Sequence, residues 1–299
     1  MTAAAVHWAS QPGHHLLYPT HPHYPALLKE MPDAPLVLFA KGDLARLEAQ
    51  AIAIVGARNA TMDGQENAKD FARFLARQGH CILSGLAYGV DAAAHAGALA
   101  AGPEGGGTIA VLGTGIDLIY PLNHTKLAEE IVAQKGLLLS ELPLGAPPLP
   151  AHFPRRNRIV AGLSRGVLVV EAALKSGSLI TARLANEMGR EVFALPGSIH
   201  APLSRGPHAL IQQGAKLVDA AADVLEELRV APAPAAEAPA PRPADPLLEA
   251  LGHDPVTLDA LSARLGESPA ALSVRLLELE LSGDVARLPG QLFQRVMRG

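Results

Sequence analysis

The sequence predicts an α/β protein: a doubly wound, mostly parallel sheet followed by a small C-terminal winged-helix domain. Three observations predict it. Short apolar runs alternate with longer amphipathic stretches from residue 51 to about residue 229. A Pro/Ala run at residues 231–246 then breaks the pattern. After it come two short helical signals and two short strand signals.

Composition bounds the function. The 299 residues are 49% hydrophobic and 18% charged, enough for one large core plus an appendage. No stretch approaches the ~18 apolar residues that a membrane span needs, so a soluble, cytoplasmic protein is expected. Cys81 is the single cysteine. It reads as a small core residue, and no disulfide can form within one chain. The formal charge of −4 argues against a protein that coats nucleic acid indiscriminately.

Residues 1–25 read as a flexible arm. It holds five of the twelve histidines, but without metal-ligand spacing or an acidic partner. Residues 26–50, with prolines at 32 and 35, read as a lead-in packed on the sheet domain. The runs Ala51–Val55, Cys81–Ser84, Thr108–Leu112, Leu137–Ser140, Val167–Val170 and Val192–Leu195 read as buried parallel strands. Gly64–Gln78, Asp91–Ala101, Asn123–Lys135 and Leu179–Met188 read as the intervening helices. Beyond the linker (230–246), Thr257 caps a helix through Leu265, and Ser268-Pro269 opens a second one. Val285–Leu288 and Leu292–Val296 then form a wing, completing a winged-helix domain over 247–299. The recognition-helix candidate carries Arg275 against Glu278 and Glu280. Both a protein-contact or spacer role and nucleic-acid binding stay open.

In a doubly wound sheet, ligands bind where loops leave the carboxyl ends of the strands. Here those loops carry Gly56-Ala57-Arg58, Ser84-Gly85, Gly113-Thr114-Gly115 and Lys175-Ser176-Gly177-Ser178. Bare glycine backbone and helix N-termini suit an anion, and Arg58 and Lys175 add full charges. Each glycine alone could be only a tight turn, and Arg58 only a surface ion pair. The stretch Phe153-Pro154-Arg155-Arg156-Asn157-Arg158 runs straight into an apolar segment. Guanidinium forks suit phosphate oxygens, and flat side chains suit unstacked bases. A solvated helix start is the competing account. Residues 152–190 hold seven basic residues against two acidic ones, a local +5 within an acidic chain. Asp91, His95, Glu141 and Glu171 can be drawn into an acid–base scheme, with Asp91 more simply a helix N-cap. No paired nucleophile and base, and no metal spacing, is evident.

The ordered motifs GAR, SGLAYGVDAAAH, GTGIDLIYP, FPRRNRIVAGLS, VVEA, KSGSLITA, LPG and GPHALIQQGA resemble the DNA-processing protein A family (DprA, also called Smf), over residues 24–228. The resemblance implies an extended Rossmann domain over 26–229 and a non-enzymatic protein without cofactor. It implies binding of single-stranded DNA, loading of RecA onto that DNA in natural transformation, and dealings with single-strand-binding protein. It implies that Arg58 binds a phosphate, with Phe153, Arg155 to Arg158 and Lys175 to Ser178 in the same groove. It further implies a homodimer through the far sheet edge, at His208, Ile211 and Leu217. Two departures stand out: Leu122 where many members have lysine, with Lys126 nearest, and Pro150 where a basic residue is common. Two other classes remain. One is a nucleotide phosphoribohydrolase of the lysine-decarboxylase-like kind using Glu171, although its PGGxGTxxE loop is missing. The other is a pure protein scaffold.

Overall fold

Along the central strands, successive residues bury their side chains on opposite faces of one sheet. Ala53 and Val55 belong to one core, while Ile52 and Ile54 belong to the other, and all four are nearly inaccessible. That two-sided burial is why these strands read as unbroken apolar runs rather than alternating ones. The computed structural model describes residues 2–228, 245–252, 255–282, 284–288 and 292–296. The chain divides into two compact units, Met1–Ala233 and Pro234–Gly299.

The strands of the first unit are β1 (His14–Leu17), β2 (Leu38–Gly42), β3 (Ala51–Val55), β4 (Cys81–Ser84), β5 (Thr108–Val111), β6 (Leu137–Ser140), β7 (Gly166–Val169), β8 (Glu191–Ala194) and β9 (Lys216–Leu217). The helices are α1 (Ala3–Ala9), α2 (Ala26–Lys29), α3 (Met62–Arg77), α4 (Val90–Leu99), α5 (Thr125–Ala133), α6 (His152–Leu163), α7 (Gly177–Glu187), α8 (Arg205–Gln212) and α9 (Ala221–Glu227). The sheet order is β1-β2-β6-β5-β4-β3-β7-β8-β9. It is parallel from β6 to β9, and β1 and β2 join antiparallel at one edge. All six expected parallel strands form, three with the expected bounds. Helices α2, α6 and α7 cover one face through Leu28, Ile159, Val160 and Ala182. Helices α3, α4 and α9 cover the other through Phe71, Leu75, Ala94 and Val224.

The expected flexible arm is folded. Residues 3–9 form α1, and β1 zips along β2 from the pair His14–Lys41 to the pair Leu17–Leu38. Trp8 holds it in place: the indole is buried, stacks on His14 at 4.3 Å and meets Phe39 edge-on at 5.5 Å. An aromatic buried in this way stabilises by about 1.5–3 kcal/mol. The lead-in also contributes, because β2 is a strand of the sheet rather than a covering segment. The linker expected at 230–246 lies outside the described residues except for Asp245 and Pro246.

The second unit comprises α10 (Pro246–Leu251), β10 (Val256–Thr257), α11 (Leu258–Leu265), α12 (Pro269–Leu281), β11 (Val285–Leu288) and β12 (Leu292–Arg295). Its sheet order is β10-β12-β11. Leu251, Leu261, Leu272, Leu276 and Phe293 form its core. Thr257 and Ser268 cap α11 and α12, accepting from the Ala260 and Ala271 amides at 3.2 and 3.3 Å.

Candidate nucleic-acid interface

Strand order reverses beside β3. The chain steps outward from β3 through β4, β5 and β6, then returns to lay β7 on the other side of β3. Loops leaving the carboxyl ends of β3 and β7 therefore diverge and leave a crevice between them. Their stems are tied together, with the Ala57 amide donating to the Glu171 carbonyl at 2.6 Å. Gly89, at φ +72°, closes the next loop, where an added Cβ would lie 2.3 Å from the Ala57 carbonyl oxygen. Only glycine fits that approach.

The crevice opens into a cleft of about 420 Å³. Gly56, Arg58, Phe153, Arg156, Asn157, Ser176, Gly177 and Ser178 line it, with Tyr120, Pro148, Pro150, Asp91 and Thr181. Arg58 is exposed at its mouth, its Cζ 5.3 Å from the centre of the Phe153 ring. The Tyr120 ring lies 5.6 Å from that of Phe153, tilted by 47°. Three flat groups thus gather at the cleft, one of them charged. The N-terminus of α7 lines the same cleft. Ser176 caps it by accepting from the Ser178 amide at 3.3 Å, and no atom lies within 4 Å of where a Gly177 side chain would start. Asn157 steadies that turn, its Nδ2 donating to the Gly177 carbonyl at 3.2 Å. A guanidinium and a helix N-terminus lining one cleft make a site for an anion.

The arginine run does not act as one patch. The segment is helical from His152, so successive side chains point about 100° apart. Phe153, Arg156 and Asn157 face the cleft. Arg155 and Arg158 face away, toward Glu141. The Arg155 Nε lies 3.4 Å from that carboxylate, Arg158 Nη2 bonds it as well, and Arg158 Nε reaches Asp33 at 3.1 Å. This departs from the expectation that the whole run lines one groove.

Arg156 is buried under the cleft floor. Its Nη1 donates to the carbonyls of Gly85 (2.6 Å) and Val111, at the ends of β4 and β5, and its Nε to Asn157 Oδ1 at 3.2 Å. Asp91 lies beside it, its Oδ2 accepting from the Gly85 and Ala87 amides at 3.1 and 3.3 Å. Burial raises the Asp91 carboxyl above the usual carboxylate range, and the Arg156 charge pulls it back. Burial lowers Arg156, and Asp91 opposes that shift. Asp91 sits in the first turn of α4, so the expected N-cap role goes to Gly89.

Other expected residues lie elsewhere. Ser84 is fully buried and donates to the Ile54 carbonyl at 2.7 Å. Gly85 is sealed beneath the crest by Arg156. Gly115 packs outside the cleft, its amide bonded to the Ala146 carbonyl at 2.9 Å. Lys175 is exposed in the neighbouring groove between α7 and α8, which Ser176 shares with the cleft. On α8, His208 Nε2 meets the Gly197 carbonyl at 3.0 Å, and Ile211 is half-buried. Leu217 stands exposed on the edge strand β9. Tyr120, Pro148 and Pro150, outside the expected site residues, also wall the cleft. The Tyr-Pro pair just beyond a strand end was the available signal.

The acid–base candidates are engaged. Glu171 accepts from the Thr61 hydroxyl (2.6 Å) and amide (2.9 Å), closing the N-terminus of α3. His95 is wholly buried. Thr108 donates its hydroxyl to the Ile82 carbonyl, so it accepts from His95 Nδ1 at 2.7 Å. Burial, with Arg156 and His124 adding to it, pushes the His95 pKa down to about 3, leaving a neutral ring. Burial also pushes the Cys81 thiol up to about 12. Among the described residues, no three His, Cys, Asp or Glu side chains gather to hold a metal, and no helix is long and apolar enough to cross a membrane.

Comparison with known proteins matches residues 15–229 to the DNA recombination-mediator protein A family and residues 231–291 to the DprA winged helix domain. Protein Smf of Escherichia coli (strain K12) is 45% identical over 294 residues, spanning 95% of this chain and 78% of that protein. The X-ray structure of DNA processing protein A from Streptococcus pneumoniae is similar with a TM-score of 0.69 at 45% identity, covering 76% of this chain and 78% of that one. DNA processing protein A from Helicobacter pylori, whose structure is described for a single-stranded DNA binding mode, gives 0.64 at 33% identity, covering 72% and 95%.

Proposed function

Because this chain belongs to the DNA recombination-mediator protein A (DprA/Smf) family, we propose that it binds single-stranded DNA in the cleft and hands that strand to RecA. The observation that carries the reading is that Arg58, the Phe153 ring it lies over and the α7 N-terminus line one cleft. Arg58 and the Gly177 amide, at the α7 N-terminus, take phosphate oxygens. Phe153 and Tyr120 offer flat faces to unpaired bases, each such stack contributing about 1–3 kcal/mol. A duplex keeps its bases stacked and cannot offer them to so narrow a recess. Recognition by charge and stacking tolerates any base sequence. The single-stranded DNA binding described for the H. pylori relative supports the same assignment.

In this reading the protein is a cytoplasmic mediator without chemistry of its own, acting beside single-strand-binding protein during processing of incoming DNA. Its copies pair through the far sheet edge, where Leu217 is exposed and His208 and Ile211 lie on α8. Glu171, which a phosphoribohydrolase would need, serves α3 instead. The winged helix contacts protein rather than DNA. Arg275 is already held by Asp245 at 2.7 Å and Glu267 at 2.8 Å, and α12 exposes Val274 and Leu277.

The test is a gel-shift titration with the Arg58→Ala/Lys175→Ala variant. Affinity for single strands falls at least about tenfold, roughly 1.4 kcal/mol. Unchanged binding overturns the site. RecA filament assembly on strands coated with single-strand-binding protein tests the loading step, which the same variant slows.

A further inference from the structure

Beyond the cleft, Ser176 is a shared wall. It closes the cleft on one side and opens a second groove between α7 and α8 on the other. That groove encloses about 470 Å³. Its rim carries Lys175 and Arg183, and its apolar surface includes Leu174, Ile180 and Leu210. Leu174 is 57% exposed beside those two cations. The Arg183 side chain is 69% exposed and only loosely paired with Glu187 at 3.6 Å. Such a surface pair holds the guanidinium weakly, so phosphate can displace the carboxylate.

We propose that this groove is a second nucleotide track, carrying the strand out of the cleft over Ser176 and along α7 toward α8. The inference rests on the reading that the cleft holds single-stranded DNA, and it deepens that reading by giving the strand a direction. The chemistry repeats that of the cleft. Cations stand at the rim for phosphates, and apolar side chains lie beneath for base faces. Continuity through Ser176 and the excess of positive charge select a polynucleotide over a protein segment as occupant. The track is also compatible with pairing at the sheet edge. On α8, Gly206, Ala209, Leu210 and Gln213 face the groove, while His208 and Ile211 lie about half a turn away. The strand can therefore run up to the edge without occupying it.

Length dependence tests the track. The full chain is titrated with oligothymidines of about 4, 8 and 16 nucleotides, a range that brackets known single-strand site sizes. The wild type gains about tenfold in affinity from the shortest to the longest. Two variants block the groove by different means. Leu174→Glu/Arg183→Glu reverses its charge at exposed positions, and Ala209→Trp fills it without adding charge. Both bind the shortest oligomer within about twofold of wild type and lose most of the gain with length, at unchanged mass by light scattering. The track is overturned if the wild type shows no gain or if either variant keeps it. It is also overturned if the loss comes with a fall in mass, because avidity between copies then explains the gain. Arg58→Ala gives the separate reading of the cleft: undiminished binding of the shortest oligomer sinks the cleft assignment itself.

Discussion

The guanidinium of Arg156 occupies the space that a side chain on residue 85 would fill. Its Nη1 donates to the Gly85 carbonyl over 2.6 Å, and a Cβ added at Gly85 would lie 2.2 Å from the same nitrogen. Arg156 therefore acts from beneath the crest, joining the ends of β4 and β5 to Asp91. Arg58 acts from above, on whatever enters. Two arginines of one cleft are assigned opposite duties by burial alone.

That division separates stability from binding. Arg156→Ala leaves Asp91 buried without its cation and two carbonyls without a donor, which costs about 3–5 kcal/mol. Gly85→Val shifts stability the same way by displacing the guanidinium. Arg58→Ala leaves the urea midpoint unchanged and weakens only DNA binding. Equilibrium denaturation of the three variants checks the contrast.

Arg155 and Arg158 face Glu141, so they are predicted to behave unlike Arg58. Arg155→Ala changes single-strand affinity less than about threefold, roughly 0.7 kcal/mol. Arg158→Ala leaves Glu141 less well paired and lowers the melting temperature. Affinity and thermal scans on both variants decide whether the run is a DNA patch or a structural strut.

Here the sequence was legible in part. Strands β3 to β8 announced themselves because burial on both faces demands unbroken apolar runs, and the loops after them carried the right residue types. Two things were hidden. Four adjacent residues, Arg155 to Arg158, look like one cluster on paper, but a helix fans them out, and only the register of α6 against the sheet shows which side meets the cleft. The N-terminal strand was hidden for another reason. Its polar His14 and His15 sit on an edge, where pairing with β2 and the Trp8 contact outweigh weak local preference.

Acid should weaken the fold through His95. Its pKa is 6.5 when the chain is unfolded and about 3 in the buried site, because burial disfavours the charged ring. Between those values the unfolded chain binds a proton that the folded chain refuses. Stability is therefore full above about pH 6.5 and falls as pH drops through that window, by up to about 1.4 kcal/mol per pH unit. His95→Asn keeps a donor toward Thr108 and flattens the slope. Denaturation midpoints from pH 7 to pH 4 check it.

The sheet edge yields a prediction about assembly. Ile211→Glu/Leu217→Glu places two carboxylates on the strip proposed for self-association, at positions not fully buried in one copy. Light scattering should give the monomer mass, with an unchanged melting profile for the single chain. A dimer mass in the variant removes this edge from the account.

We propose above that the cleft of Arg58, Phe153 and the α7 N-terminus takes an unpaired strand. This is tested most directly by titrating wild type and Arg58→Ala/Phe153→Ala with single-stranded and duplex oligonucleotides of equal length at two salt concentrations. Wild type is expected to bind the single strand more tightly than the duplex, with a log–log salt slope of about −0.7 for each phosphate held. The variant is expected to lose the preference. Equal affinity for duplex, or a variant that binds single strands as the wild type does, contradicts it.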